Sequence, residues 1–196
     1  MKGQEVLSVI LISGILIGVV GSVYFWGVPL IQKNKDISTL ENSENFMRNL
    51  NTKIKNVANT GGRDQLVINV PGLLKFDGGE FQLIIDTEGV IYARDSEIPL
   101  GRNSCAATEG VFGASDPETL CVKSVKLGEQ SYRTTYTLKY ITLKSSNALK
   151  DFQISLMGGL RSGGADSTVI IENKVSTSTT QDGRTVIKTL IEINIV

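Results

Sequence analysis

Between Val6 and Ile31 the chain carries no charged residue, and a run longer than the roughly 20 apolar residues that span a bilayer core restricts the fold more than any other feature. At about 1.5 Å per residue, Val6 to Trp26 covers about 30 Å, which sets Tyr24, Phe25 and Trp26 at the level of an interfacial aromatic belt. Two other readings compete with a transmembrane helix. A cleaved secretory signal wants a shorter apolar region followed by a small-residue cleavage site, and none follows Ile31. A buried core helix rarely needs so long an uncharged run. The expected span is residues 6–31.

Within the span Gly14, Gly18 and Ser22 recur every fourth residue, a stripe of small side chains that lets another helix backbone approach closely; simple lipid-facing glycine is the alternative. Pro29 lacks an amide hydrogen and crowds the carbonyl of Phe25, which predicts a kink near the outer interface, after which the helix continues. It continues because residues 36–59 keep a helical period: Leu40, Met47 and Ile54 form one series, with Leu50 and Val57 between them. The apolar stripe of this stem suits packing on the protein's own sheet or, alternatively, a coiled-coil seam. Asn59-Thr60-Gly61-Gly62 supplies the stop. Residues 5–59 would then form one helix on the order of 80 Å long.

These first residues carry a resemblance. The start Met1-Lys2-Gly3-Gln4-Glu5, the uncharged helix and the amphipathic half that follows resemble an archaeal type IV pilin or pilin-like protein with a class III signal peptide. The resemblance implies that residues 1–3 are a short leader, removed at Gly3–Gln4 by a prepilin peptidase, and that residues 4–60 form the assembly helix. Where the archaeal glutamine-led signal places Ser and Glu, two and four residues after the glutamine, this chain has Val6 and Ser8. Glu5 has a physical role on either of two readings. A carboxylate at the edge of an apolar helix favours pairing with the free amine that cleavage creates on Gln4 of a neighbouring subunit, or it sits in the headgroup region at a helix N-terminus.

After Gly62 the pattern changes to short β-rich runs: Gln65 to Val70, Glu80 to Ile85, Val90 to Arg94, Cys121 to Leu127, Tyr132 to Leu143, Phe152 to Met157, Thr168 to Glu172 and Thr185 to Val196. Pro71-Gly72, Asp77-Gly78-Gly79, Glu88-Gly89 and Asp182-Gly183 lie between such runs as turns. The expected class is α+β: a long N-terminal helix, then an antiparallel β-sandwich or barrel-like domain over residues 63–196. Cys105 and Cys121, the only cysteines, either close a short disulfide loop or remain two thiols. Leu100 to Thr119 is long enough to form a binding surface.

Several function classes lose their support. Lysine plus arginine equals aspartate plus glutamate at 20 each, so no global field draws in nucleic acid. Histidine is absent, which removes the commonest general base and metal ligand, and two cysteines are too few for a structural zinc site. Gly158-Gly159 and Gly163-Gly164 bracket Arg161, but no lysine-serine or lysine-threonine pair follows, so a flexible turn is expected and not a phosphate loop. Ser176 to Thr180 reads as strand or as a site for O-linked sugar. Asp64, Asp77, Glu80, Asp86 and Glu88 read as solvated turns, since calcium needs oxygens converging on one point. No catalytic set, metal or cofactor is expected.

The resemblance therefore implies a structural subunit whose partners are copies of itself or other pilins, the prepilin peptidase, and membrane lipid before assembly. Its N-terminus would be cytoplasmic and its β domain extracellular, on a cell-surface filament after processing, with adhesion among the uses. A non-polymerising, single-pass anchor presenting an extracellular binding domain is the alternative.

Overall fold

The computed structural model describes residues 2–129, 131–181 and 183–196, and the side chains of residues 2–7 and 181 lie outside that description. The expected roles of Gly3, Gln4 and Glu5 fall on those side chains, and the expected leader also includes Met1. Asp182 of the expected hairpin turn is likewise outside the described residues.

Helix α1 runs from Lys2 to Thr60 and continues past Pro29. The chain can accept proline there because the one lost amide bond is outweighed by continuous helical bonding on either side. No residue from Ser8 to Ile31 is buried, whereas Leu40, Met47, Leu50, Ile54 and Val57 are buried in the core. The stem stripe thus packs on the protein's own sheets. Gly61 and Gly62 take left-handed backbone at φ 79° and 83°, and the Gly61 amide donates to Val57 O at 3.0 Å. This closes the last turn with residues that pay no Cβ penalty.

Among the described residues twelve strands follow: β1 (Arg63–Val67), β2 (Leu73–Asp77), β3 (Glu80–Thr87), β4 (Glu97–Pro99), β5 (Glu109–Val111), β6 (Glu118–Gly128), β7 (Ser131–Tyr140), β8 (Thr142–Lys144), β9 (Lys150–Met157), β10 (Arg161–Gly163), β11 (Thr168–Gln181) and β12 (Arg184–Ile195). They form two six-stranded sheets, one ordered β1-β11-β12-β9-β8-β5 and the other β10-β2-β3-β7-β6-β4. Alternate residues of both sheets, among them Ile171 and Ile193 from the first and Phe81, Leu83 and Tyr136 from the second, meet the stem helix in one core. The class is α+β, as the patterning requires.

Five details correct the expected parsing. Leu73–Asp77 forms β2 where no β run was expected, between the turns Pro71-Gly72 and Asp77-Gly78-Gly79. The first sheet is mixed rather than antiparallel, because β12 pairs with β9 and β5 with β8 in parallel. The chain leaves β9 for β10 in the opposite sheet and returns through the β11–β12 hairpin, so a strand replaces the usual crossover helix. Tyr132 to Leu143 is not one strand: it breaks at Ile141, where the chain passes from the second sheet to the first. Val90 to Arg94 makes no strand, only a bridge from Arg94 to Ser124. Here Thr87 Oγ1 donates to Gly89 O and the Gly89 amide donates to Asp36, both at 2.7 Å, which diverts the chain onto the helix. Finally, the stretches expected as loops hold the short strands β5 and β10, and Ser176 to Thr180 belongs to β11, which outruns its expected end at Glu172. At Pro71-Gly72 the turn is as expected, and a Cβ on Gly72, at φ 109°, would run into the carbonyl oxygen of Ile84.

Candidate functional site: an exposed apolar helix clamped to a β head

The apolar half of α1 is long and apolar enough to cross a membrane, and it is unburied by the rest of the protein. Phe25 and Trp26 are 84% and 86% exposed, beside exposed Tyr24. A Cβ added at Gly14, Gly18 or Gly21 would meet nothing within 4 Å, so the glycine surface is open to whatever surrounds the helix. Ser22 Oγ donates to Gly18 O at 2.7 Å. Its hydroxyl is thereby satisfied inside the helix and the stripe remains apolar in character.

Where the apolar half ends, polar groups lock the helix to the head. Asp36 is 6% exposed, although it lies only five residues past the uncharged run, after Lys33 and Lys35. Its Oδ2 accepts the Gly89 amide at 2.7 Å and its Oδ1 accepts Gln32 Nε2 at 3.3 Å. One turn on, Tyr136 donates its hydroxyl to Leu40 O at 2.8 Å, and Tyr92 donates to Glu44 Oε2 at 2.9 Å. The two rings meet edge to face with centroids 6.0 Å apart and hydroxyls 3.1 Å apart. Burial pushes the Tyr92 hydroxyl pKa up to about 12, and the neighbouring Glu44 carboxylate acts in the same direction. Burial raises Tyr136 as well, beyond the usual phenol range.

Further along, Glu118 Oε1 accepts Asn51 Nδ2 at 2.7 Å and Lys55 Nζ at 2.8 Å, while Tyr140 donates to Asn51 Oδ1 at 2.8 Å. Burial raises the Tyr140 pKa, with the Glu118 charge adding to it. Lys53 Nζ bonds both oxygens of Asp64 at 2.8 Å and so lowers that carboxyl's pKa. Polar bonds from Asp36 to Asn173, which donates to Val57 O at 3.0 Å, therefore run the length of the buried stem. These bonds tie the stem to the head at successive levels.

On the second sheet Cys105 and Cys121 are joined in a disulfide. Asn103 Nδ2 donates to Asp116 O and Glu118 O, both at 2.7 Å, so the Leu100 to Thr119 loop is tied at its base. Beside the disulfide lies a cavity of about 230 Å³ lined by Glu80, Lys123, Thr135, Thr137 and Lys139 among others. Of the acidic residues singled out from the sequence, Asp64 pairs with Lys53 and Asp86 with Arg133. Among the described residues no group of three metal-ligating side chains converges.

Sequence reasoning found Gly14, Gly18, Ser22, Pro29 and the cysteines, but not Asp36, Tyr92, Tyr136 or the Asn51–Glu118–Tyr140 set. A signal existed for two of them. Asp36 lies four residues before Leu40, and Asn51 falls between Met47 and Ile54, both in phase with the buried stripe. The tyrosines gave no local sign, because their partners lie 44 and more residues away. No family model, no curated protein and no solved structure matches this chain, so its function is argued from its own residues.

Proposed function

We propose that the chain is a structural subunit of an archaeal type IV-pilus-like surface filament. In this reading the leader is cut at Gly3–Gln4, the apolar helices leave the bilayer and pack together as the filament core, and the β heads form its outer surface. The observation that carries it is the helix itself. From Ser8 to Ile31 none of the described residues covers its apolar side chains, and burial of that surface, at roughly 25 cal/mol per Å², calls for lipid or neighbouring helices. The same helix can meet both demands in turn, lipid first and other subunits after. The glycine stripe supports close approach between helices, and the clamp from Asp36 to Val57 supports transmission of load from core to head.

Intact mass of the protein recovered from membranes and from sheared surface filaments of its native host tests the reading. Loss of Met1 to Gly3, with the shortened form in the sheared fraction, is the expected result. An uncut chain confined to membranes would sink the filament and leave a single-pass anchor presenting a binding domain.

A further inference from the structure

The β11–β12 hairpin carries an edge that none of the described residues covers. Strand β1 pairs with β11 only from Thr168 to Glu172, and the Asn173 amide donates to Gly62 O at 2.9 Å, the last backbone bond on that side among the described residues. From Ser176 to Gln181 β11 is paired with β12 alone, and residues 174–180 are exposed. Which groups point outward follows from the ladder. Thr168 and Val196 exchange both amide bonds, at 2.7 and 3.0 Å, so alternate residues from Thr168 face β12. The bulge between Asn173 and Ser176 shifts that count by one. Ser176, Ser178 and Thr180 therefore present N–H and C=O to the open side. The Thr185 amide confirms the phase: it donates to Leu149 O at 2.8 Å, away from its partner Thr180.

An edge of this kind is a template for another strand, and proteins usually blunt it with charge or proline. Here there is neither: Val175 to Gln181 reads Val-Ser-Thr-Ser-Thr-Thr-Gln, without a charged residue. The edge is also complementary to itself. Antiparallel pairing about a two-fold axis at Ser178 sets Ser176 of one copy opposite Thr180 of the other, and allows about six backbone hydrogen bonds with no like charges opposed. We infer that this edge joins two copies of the chain.

The direction of the strand fixes how the copies stand. Asp64, near the start of β1, bonds Lys53, whereas Leu66, Asn69 and Val70 share a surface groove with Asn42, Phe46 and Asn49. Strand β1 thus runs back along the helix toward its apolar half, and β11, antiparallel to it, runs the other way. At Asn173 it reaches the last turn of the helix, bonding Val57 O, so Ser176 to Gln181 extends past the helix end. Two such strands paired antiparallel point their apolar helix halves in opposite directions. The contact is therefore a homophilic one between opposed surfaces, whether membranes or filaments, and it does not depend on the filament reading.

The test uses the full chain reconstituted in lipid vesicles, with clustering followed by light scattering. Ser178→Pro removes an amide that points out of the sheet and leaves the β11–β12 ladder intact. Two of about six bonds are lost, so clustering should weaken at least about tenfold while the tyrosine near-ultraviolet signal of the head is unchanged. A second variant, Ser178→Cys, should form a covalent dimer under mild oxidation, since residues paired at about 5.5 Å lie within disulfide reach. Thr52→Cys, exposed on the helix, should not. The inference fails if the Ser178→Pro vesicles cluster like the parent, or if Ser178→Cys cross-links no more than Thr52→Cys. Cross-linking inside single vesicles without clustering would overturn the opposed arrangement, since it requires parallel pairing.

Discussion

Replacing Asp36 with alanine tests whether the helix is clamped to the head by the bonds described above. Asp36 is 6% exposed and supplies the acceptor for the Gly89 amide at 2.7 Å, a bond to an ionised group worth about 1.5–3 kcal/mol. The substitution also leaves that amide without its partner, so a loss of about 2 kcal/mol is expected, which for a chain of this size lowers the melting temperature by about 4–8 °C. Asp36→Asn keeps an acceptor oxygen and should lose about half as much. The contact can be probed from its other side, because a Cβ on Gly89 would stand 3.2 Å from Asp36 Oδ2. Gly89→Ala should therefore destabilise the parent and cost less in the Asp36→Ala background, with a coupling of at least about 0.5 kcal/mol. The assay is thermal melting of the full chain in detergent micelles, read by tyrosine near-ultraviolet circular dichroism, with amide exchange followed from Thr87 to Tyr92. A melt within about 1 °C of the parent for Asp36→Ala, together with additive double-variant energies, would refute the clamp.

Cys105→Ser paired with Cys121→Ser opens a loop of sequence separation 16 and should cost about 3 kcal/mol, read as a shift in the urea midpoint; no shift would mean that Asn103 alone holds the loop. High pH should act through Tyr92, whose folded pKa of about 12 lies above the ordinary 10.0. A raised phenol keeps its full stabilisation below pH 10 and loses it as pH rises toward 12, so the urea midpoint should fall across that window and fall less steeply in Tyr92→Phe. Equal slopes in the two proteins would assign the loss to other groups. A Cβ at Gly18 meets nothing within 4 Å, so in Gly18→Leu the head should melt at the parent temperature while, on the filament proposal, sheared filaments disappear; normal filaments would exclude the glycine stripe from subunit contacts.

Much of the architecture follows from local pattern. The uncharged run, the stripe Leu40, Met47, Leu50, Ile54 and Val57, and the stop at Gly61-Gly62 all express a helical period that any window of a few turns contains. Most β runs were legible for the same reason, since alternation and turn residues are properties of neighbours in the chain. The short strands β4, β5 and β10 were not, because three residues carry too little pattern to stand apart from a loop, and neither was β2, whose five residues sit between two turns.

Partner choice lies outside any local window. That β12 lies parallel to β9, that the chain changes sheet at Ile141, and that Val90 to Arg94 goes to the helix instead of a strand depend on bonds between residues far apart in sequence, such as Asp36 to Gly89 and Tyr136 to Leu40. The candidate site divides in the same way. Its apolar half is written in residues 6–31, because transfer from water to lipid or to other helices depends on composition and length. The clamp and the open edge of β11 exist only in the folded chain, because burial and hydrogen bonding there reward groups for the neighbours that long-range packing brings to them.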